Sequence, residues 1–383
     1  MSTPTTAAVL RQTGAPLSLE RVGLEEPRAE EVRVRLVSSG VCHTDLGVIA
    51  TAVPEQLPVV LGHEGAGIVE AVGSAVDDLA PGDHVVLTYN HCGSCDHCTS
   101  GVMAHCRAFV ALNLTGARAD GSSPLSSGDT PVFGHFFGQS AFSERVITTR
   151  HNAIKVDPDV PLELLGPLGC GVQTGAGAIL NSLRPPVGSS IAVFAAGSVG
   201  LSAILAAVVA GASTIIAVDP QPARRELATK LGATHVIDPE AQDPVQVIRE
   251  ITGGTGAQCS VDCIGLASVV RQALECLQSP GVCATVGFQG MTNELTIDQG
   301  HLLFGRSLVG VIEGDAVPQE FIPRMIELYK TGRFPFDQLI TTFPFAQINE
   351  AIDAAHHGTV VKAILTFETT CGRVRRNTAG RSS

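Results

Sequence analysis

The chain contains 383 residues, of which 44% are hydrophobic and 16% charged, and it carries a formal net charge of -12. A chain of this length favours two domains over a single hydrophobic core, and its composition excludes fibrous and intrinsically disordered classes. The acidic balance argues against nucleic acid and anionic membranes as partners.

The amino-terminal segment, MSTPTTAAVLRQTGAPLSLE, lacks a charged region followed by a long apolar run. We therefore expect no signal peptide. The chain contains 11 cysteines, an odd number, which favours reduced thiols over disulfides. Together these features predict a cytoplasmic protein.

Three short motifs contain metal-ligating residues that lie far apart in the sequence. GVCHTD contains Cys42, LGHEGAG contains His63, and GPLGCGVQTGAG contains Cys170. One imidazole and two thiolates form the ligand set of a catalytic zinc ion that keeps a fourth position open for water or an alcohol oxygen. A single cysteine or histidine is more often a buried structural residue. The prediction therefore depends on the occurrence of these motifs together with those described below.

The segment CGSCDHCTSGVMAHC has four cysteines in the spacing C-x-x-C-x-x-C-x7-C. Four thiolates from one short loop can close a tetrahedron around zinc and leave no position for a substrate. A thioredoxin-like pair needs only two cysteines, whereas an iron–sulfur cluster fits the same ligand type. We favour a structural zinc site with these ligands: Cys92, Cys95, Cys98 and Cys106. The histidines in and beside the segment are interpreted as bystanders, namely His91, His97 and His105.

Two segments are rich in polar residues. Residues 113–131, NLTGARADGSSPLSSGDTP, predict a long, turn-rich loop that is either functional or mobile. After Glu368 the chain becomes basic and polar, so residues 369–383 predict a disordered tail.

The segment SSIAVFAAGSVGLSAILAAVVAGASTIIAVD predicts a strand at residues 191–194, a glycine turn, a helix at 200–209 and a strand at 214–218. The fingerprint G-x-G-x-x-G is present with alanine, Ala195, in its first position. Its location between a strand and a helix favours binding of a pyrophosphate. The amides that would bind it belong to Gly197, Ser198, Val199 and Gly200.

Asp219 ends the second of these strands, where a carboxylate would accept hydrogen bonds from the adenosine ribose. The same carboxylate would repel a 2′-phosphate, which favours NAD over NADP. Arg224 and Arg225 follow in ARRELATKLGA, whose helical period favours a solvated face over phosphate binding; Arg224 is kept as a candidate cofactor ligand. The apolar runs CSVDCIG and GVCATVGF predict later strands of a doubly wound parallel sheet.

The combination of these motifs resembles the zinc-dependent medium-chain alcohol dehydrogenases over residues 7–367. Within that family, FFGQSAF and ELLGPLGCGVQTGAGA look like the NAD-dependent aryl-alcohol (benzyl alcohol) dehydrogenases. The resemblance implies an α/β fold in which a GroES-like, β-rich catalytic domain is interrupted by a doubly wound Rossmann domain. It assigns residues 1–171 and 318–368 to the catalytic domain and residues 172–317 to the NAD-binding Rossmann domain.

The resemblance also implies roles for single residues around the predicted catalytic ion. Cys42, His63 and Cys170 match the zinc ligands, and Glu64 matches an acidic neighbour of that ion. Asp45 would orient the His63 ring through a hydrogen bond.

Further residues match family positions that handle the proton and the cofactor. Thr44 matches the hydroxyl that takes the substrate proton, and Thr174 matches a residue that positions the nicotinamide. His43 and Lys362 occupy positions where the family often has basic residues that bind pyrophosphate. Many members continue the proton relay through a histidine that is Gly47 here. We therefore expect the proton to leave through water beyond the ribose hydroxyl or through His43.

The predicted function is zinc-dependent, reversible oxidation of a primary alcohol to its aldehyde, with hydride transfer to NAD⁺. The predicted cofactors are NAD and two zinc ions per subunit, one catalytic and one structural. The predicted partners are the small alcohol and aldehyde and, by analogy with the family, further copies of the chain in a dimer or tetramer.

Four phenylalanines lie close to where the family lines its substrate pocket, namely Phe133, Phe136, Phe137 and Phe142, and Phe288 follows a later strand. Phenyl groups suit a flat aromatic or allylic alcohol, although each of them is equally able to pack in a core. A terpene alcohol such as geraniol would fit the same pocket. The rival functions are a thiol-dependent formaldehyde dehydrogenase, a zinc-free reductase of the same fold and a non-catalytic, zinc-containing binding protein.

Overall fold

The computed structural model describes residues 2–368, and the predicted disordered tail lies outside the described residues. The strands of the described part are β1 (Thr3–Leu10), β2 (Ser18–Leu24), β3 (Glu31–Gly40), β4 (Val59–Val60), β5 (Gly65–Val72), β6 (His84–Leu87), β7 (Leu125–Ser127), β8 (Thr130–Val132), β9 (Arg145–Thr149), β10 (Ala153–Lys155), β11 (Ser190–Phe194), β12 (Thr214–Val218), β13 (His235–Ile237), β14 (Ala257–Asp262), β15 (Leu277–Thr285), β16 (Arg306–Gly310), β17 (Ile340–Pro344) and β18 (Lys362–Thr366). Its α-helices are α1 (His43–Thr51), α2 (Asp96–Thr99), α3 (Phe109–Asn113), α4 (Leu162–Leu165), α5 (Gly171–Gly177), α6 (Ser198–Val209), α7 (Pro222–Lys230), α8 (Pro244–Ile251), α9 (Ala267–Glu275), α10 (Gln299–Leu303), α11 (Pro318–Lys330) and α12 (Ile348–His356).

The central part of the chain forms a six-stranded parallel sheet in the order β13-β12-β11-β14-β15-β16. Its two central strands β11 and β12 are almost entirely apolar, as expected for a parallel sheet covered on both faces. The predicted strand–helix–strand segment is confirmed, with α6 beginning two residues earlier than expected because extended Gly197 serves as its N-cap. The strand order reverses between β11 and β14, which creates a crevice at the carboxyl ends of the strands.

The other strands form two sheets that combine both ends of the chain. One is five-stranded and antiparallel, in the order β4-β1-β2-β7-β8. The other is seven-stranded, in the order β10-β6-β5-β3-β18-β17, with β9 also paired to β3. The late strand β18 joins it antiparallel to β3, with Ile364 opposite Gly40. The chain therefore returns to its first sheets after completing the parallel one.

The polar segment 113–131 is a turn-rich loop only in its first half, so the prediction of a long loop is only partly correct. Its second half forms the hairpin β7–β8, which extends the five-stranded sheet from β2. In its first half, the buried Arg118 guanidinium lies 2.6 Å from Glu31 and 2.8 Å from Glu25. A buried arginine with two carboxylate partners fixes the backbone around it. Turn-rich composition did not reveal this, because both partners lie far away in the sequence.

One hydrophobic core joins the parallel sheet to the seven-stranded sheet. Val37 and Ala66 of the seven-stranded sheet belong to the same cluster of buried residues as Val193 and Leu201 of the parallel sheet and α6. The shared core fixes the crevice between the sheets. Within residues 2–368, no helix combines the length and apolar character needed to cross a membrane.

Candidate metal centre and dinucleotide site

Three separate segments bring four metal-ligating side chains together between the sheets. Cys42 is the N-cap of α1, His63 and Glu64 lie between β4 and β5, and Cys170 is the N-cap of α5. The ligand atoms of these four residues all lie within 4.8 Å of one another. The residues that the sequence predicted to share a site are therefore neighbours in space.

Asp45 connects two of these ligands. Its carboxylate accepts hydrogen bonds from the backbone amides of Cys42 and Gly62, each at 3.0 Å, and contacts His63 Nδ1 at 3.0 Å. Asp45 is itself fully buried. One side chain thus caps α1, fixes the turn before His63 and orients the imidazole, as a hydrogen-bond partner of a metal ligand does.

The His63 ring has a second nitrogen that faces the other ligands. The ring is fully buried, and Nε2 has no hydrogen-bond partner in the described part of the chain. A buried polar atom of this kind is costly unless something binds it. Zinc bonds to nitrogen and sulfur of about 2.0–2.3 Å fit a cluster of this size.

The two thiols of this cluster differ in acidity. A hydrogen bond from Cys170 holds the pKa of Cys42 well below its ordinary value, and the charge of His63 lowers it further against the effect of burial. The same bond to Cys42, together with burial, raises the pKa of Cys170 well above its ordinary value. A dication between them would allow both to ionise, since its charge offsets two thiolates. Burial lowers the pKa of His63, but Asp45 and Cys42 outweigh it and raise that pKa overall.

Glu64 forms a buried ion pair beside the cluster. Lys362 Nζ lies 2.6 Å from Glu64 and donates to the Val41 carbonyl at 3.0 Å, and the Gly171 amide donates to Glu64 at 3.1 Å. Burial raises the pKa of Glu64 to about 7, and Lys362 opposes this. The resemblance predicts that Lys362 binds pyrophosphate; in this structure its ammonium is paired with Glu64.

Sequence reasoning missed one carboxyl group at this site. Glu313 follows β16, is 6% exposed, and lies with Oε1 3.6 Å from Cys170 Sγ. Gln173 Nε2 donates to its other oxygen at 3.3 Å. Burial raises the pKa of Glu313 to about 7. The signal in the sequence was a pair of acidic residues, Glu313 and Asp315, in SLVGVIEGD, at the end of an apolar run.

The predicted proton and cofactor residues lie on the two helices that begin at the site cysteines. Thr44 Oγ1 is 3.8 Å from Cys42 Sγ, and Thr174 lies one turn into α5, where its amide donates to the Cys170 carbonyl. His43 is exposed on the first turn of α1. Gly47 is exposed in the same helix, and a Cβ added there would have no heavy atom within 4 Å. The position of the family's relay histidine is therefore open.

The predicted pocket phenylalanines separate into different environments. Phe136 and Phe142 are fully buried and belong to the core. Phe137 stacks on the His63 ring with a centroid distance of 4.5 Å. Phe133 is half-buried, whereas Phe288 is 58% exposed at the carboxyl end of the parallel sheet.

The four cysteines of the second cluster form a compact lobe around α2. Their sulfurs all lie within 4.8 Å of one another, with Cys98 Sγ 3.8 Å from Cys92 Sγ and 3.5 Å from Cys95 Sγ. A tetrahedron with Zn–S bonds of about 2.3 Å has S–S edges of about 3.8 Å, whereas a disulfide requires about 2.05 Å. The spacing fits a shared metal ion and excludes disulfides between these described cysteines.

The fingerprint loop has the shape of a phosphate cradle. Gly200 approaches the loop so closely that an added Cβ would lie 1.9 Å from the Ala195 carbonyl oxygen. Ala195 has a φ of 70°, a left-handed conformation that is strained for alanine. The Ser198 hydroxyl has no partner within residues 2–368. A phosphate group would fit these groups at the N-terminus of α6.

Asp219 and Arg224 shape the next part of the crevice. Asp219 accepts hydrogen bonds from the amides of Ala196 at 2.7 Å and Gln221 at 2.8 Å, so it also holds the fingerprint loop. Arg224 is half-buried and donates to the carbonyls of Ala196 and Val360 at 3.4 and 3.3 Å. The favoured interpretation of Arg224 as a solvated residue is therefore wrong, because it bridges the loop to the segment before β18.

Comparisons with known proteins agree with this architecture. The family described as "Alcohol dehydrogenase GroES-like domain" matches residues 28–158, and the family described as "Zinc-binding dehydrogenase" matches residues 198–331. A geraniol dehydrogenase from Castellaniella defragrans is 47% identical over 364 residues, covering 94% of this chain and 97% of the relative. The chain belongs to the zinc-dependent medium-chain alcohol dehydrogenases.

Two solved structures are similar to this chain over nearly its whole length. An alcohol dehydrogenase zinc-binding domain protein from Burkholderia ambifaria has a TM-score of 0.94 and 49% identity, and benzyl alcohol dehydrogenase from Acinetobacter calcoaceticus has a TM-score of 0.92 and 43% identity. Each comparison covers 96% of this chain and all of the other. The predicted fold class, a GroES-like domain combined with a Rossmann-type domain, is confirmed. Zinc and NAD are the groups that this alcohol dehydrogenase family implies, and the residues described above fit both.

Proposed function

We propose that this alcohol dehydrogenase catalyses the NAD-dependent, reversible oxidation of a primary aromatic or allylic alcohol to its aldehyde. The observation that carries the proposal is the open cluster of Cys42, His63 and Cys170, with an unpartnered imidazole nitrogen, at the carboxyl edge of a dinucleotide-binding sheet. Bound zinc would supply a Lewis acid that increases the acidity of an alcohol, and NAD⁺ would accept the hydride.

The chain's own residues would hold and orient the reactants. Cys42, His63 and Cys170 are the proposed zinc ligands, Glu64 is an acidic neighbour, and Thr44 takes the alcohol proton. Asp45 keeps His63 in one orientation, which leaves Nε2 directed at the ion. The four lobe cysteines are proposed to bind a second zinc, giving two ions per subunit.

The remaining proposed cofactor contacts extend from the site into the Rossmann crevice. They are His43, Thr174, Gly197, Ser198, Val199, Gly200, Asp219, Arg224 and Lys362. Of these, Lys362 would reach a pyrophosphate only by sharing its ammonium with Glu64. The Asp219 carboxylate at the end of β12 supports NAD over NADP. Thiolate clusters persist in a reducing compartment, which supports a cytoplasmic location.

The aromatic surroundings of His63 support a flat substrate. Phe137 stacks on the imidazole and meets Phe109 at a centroid distance of 6.3 Å in an edge-to-face contact. Phe288 adds an exposed ring at the carboxyl end of the sheet. The names of two relatives, a geraniol and a benzyl alcohol dehydrogenase, agree with both substrate classes. Benzyl-type alcohols remain the first proposal and geraniol the second.

The boundaries and the assembly are also proposals. We assign residues 1–171 and 318–368 to the catalytic domain and residues 172–317 to the cofactor domain. Strand β16 lies at an edge of the parallel sheet, and apolar side chains just before it in the chain are exposed: Leu303 by 69% and Phe304 by 71%. An edge strand with exposed apolar neighbours favours pairing with a second copy. Sedimentation of the chain and of Phe304→Glu tests this, with a dimer or tetramer expected only for the unsubstituted protein.

The central experiment measures NADH formation with benzyl alcohol, cinnamyl alcohol, geraniol and ethanol, together with the zinc content. We expect the highest kcat/KM for benzyl and cinnamyl alcohol, the lowest for ethanol, and two zinc ions per subunit. Formaldehyde is assayed with and without glutathione or mycothiol. A rate that requires the thiol would instead identify a thiol-dependent formaldehyde dehydrogenase, and the absence of NADH with every alcohol would contradict the proposal.

A further inference from the structure

Glu313 is held in its place by an unusual turn at the carboxyl edge of the parallel sheet. Three successive residues after β16 have left-handed backbones: Glu313 with φ 51°, Gly314 with φ 67° and Asp315 with φ 47°. Non-glycine residues adopt this conformation only when their surroundings enforce it. The backbone of this turn is therefore strained at Glu313 and Asp315, and the strained conformation sets the direction of the Glu313 side chain.

Contacts on both sides hold the turn. Asn181 donates to the Gly314 carbonyl at 3.0 Å, and Asp315 contacts Ser182 at 2.7 Å and His105 of the cysteine lobe at 2.9 Å. Tyr89 donates to the carbonyl of the next residue, Ala316, at 2.6 Å. The Asp315 carboxylate is therefore held on the side of the cysteine lobe, whereas the Glu313 carboxyl faces Cys170 and Gln173 in the interior.

The Glu313 carboxyl differs from the other acidic groups of the site in having no cationic partner. Glu64 is paired with Lys362, and Asp45 has two amides and an imidazole. Glu313 contacts the Cys170 thiol and the neutral Gln173 amide, and no lysine or arginine nitrogen in residues 2–368 lies within 4.0 Å of it. Once a dication offsets the two thiolates and Lys362 offsets Glu64, this carboxylate is an uncompensated negative charge.

Its location matches the nicotinamide end of the proposed cofactor site. Dinucleotides bind at the carboxyl ends of parallel strands, and Glu313 follows β16 at that edge. It touches Cys170 and Gln173, the residue directly before Thr174. We propose that Glu313 sets the preference of the site for the oxidised cofactor, because the NAD⁺ ring is cationic and the NADH ring is neutral. The proposal rests on the proposed NAD-dependent function.

The test compares the affinities of the zinc-loaded protein for NAD⁺ and NADH. NADH is titrated by its fluorescence and NAD⁺ by competition, at a pH of about 8.5, well above the ordinary pKa of a carboxyl group. In Glu313→Gln, which keeps the shape and an acceptor oxygen, we expect the ratio of the NAD⁺ Kd to the NADH Kd to rise about tenfold, the effect of one partly screened charge. Zinc content should stay unchanged.

Two further variants separate charge from structure. Glu313→Asp keeps the charge and tolerates a left-handed backbone, so its ratio should stay near that of the unsubstituted protein. Asp315→Asn removes a charge from the same turn, but on the lobe side, and should leave the ratio unchanged. An unchanged ratio in Glu313→Gln, or an equal loss of affinity for both cofactors, would overturn the inference. Failure of the unsubstituted protein to bind either cofactor would instead overturn the proposed function.

Discussion

The two cysteine-containing clusters use similar ligands but are assembled in opposite ways. The lobe takes four thiols from the single segment 92–106, whereas the open cluster takes its ligands from three segments, at Cys42, His63 and Cys170. The lobe has a complete tetrahedron of donors, and the open cluster has an imidazole and two thiols with a carboxyl group beside them. A local cluster can hold its own segment together, while a dispersed cluster needs the sheets to be in place first. Metal loss should therefore unfold the first region and inactivate the second.

The largest expected effect is on turnover at the open cluster. Cys42→Ala removes one thiolate and the means to hold the ion in position. We expect kcat to fall on the order of 10³-fold or more, since a Lewis acid contributes several kcal/mol to the transition state. One zinc per subunit should be lost, with little change in the circular dichroism spectrum. Cys283→Ala, a change at a fully buried thiol of β15, is the control and should keep both zinc and activity. Activity in a zinc-depleted Cys42→Ala protein would contradict the assignment.

Loss of a metal ligand from the cysteine lobe should lower the stability of the protein rather than its turnover. Cys98→Ala breaks the tetrahedron, and structural zinc contributes directly to folding free energy. We expect destabilisation of several kcal/mol, seen as a lower thermal midpoint and as proteolysis within 92–106, while molecules that remain folded still turn over. His97→Ala, at a half-buried histidine of the same segment that contributes no thiol, should change both properties far less. Equal thermal stability of Cys98→Ala and the unsubstituted protein would remove the distinction between the clusters.

Asp45→Asn tests whether the dispersed cluster depends on its hydrogen-bonded support. The substitution weakens the contacts with the Cys42 and Gly62 amides and with His63 Nδ1. Changes of this kind cost about 10–100-fold in metal affinity or activity. The measurement is the rate at which a chelator removes zinc, followed with a metal-sensitive dye. Asp96→Asn is the matched control, because this exposed carboxylate lies next to Cys95 and, among the described residues, has Arg107 as its one ion-pair partner. A faster zinc loss in the control alone would contradict the proposed support.

Local patterns carried most of the information about the fold. The alternation of strand, glycine turn and helix gave β11, α6 and β12 to within two residues, because each of these elements is specified by its own segment. The lobe cysteines were equally visible, since their spacing is local. The open cluster was grouped by its ligand types, by the occurrence of its motifs together and by resemblance, because nothing in GVCHTD alone reveals that His63 and Cys170 lie beside it.

Features that depend on distant contacts could not be derived from the sequence. Arg118 turns a polar segment into a fixed one through Glu25 and Glu31, and Lys362 is drawn into the site by Glu64. Glu313 was missed because its significance comes from a left-handed turn that only packing can impose. In each case a charged side chain finds its role through a tertiary partner, which neither periodicity nor composition records.

The smallest predicted effects come from one glycine in each region. Gly47 lies in the helix that begins at Cys42, Gly101 lies in the lobe with a φ of 81°, and an added Cβ would have no heavy atom within 4 Å at either position. The two positions therefore have equal room for an alanine side chain, and they differ only in backbone conformation. Gly47→Ala should stabilise by about 1 kcal/mol because glycine is unfavourable within a helix. Gly101→Ala should destabilise by about 1 kcal/mol because alanine resists a left-handed backbone. Scanning calorimetry of the zinc-loaded variants should show shifts of opposite sign in the thermal midpoint. Shifts of the same sign would mean that the backbone at Gly101 is not fixed in the left-handed conformation.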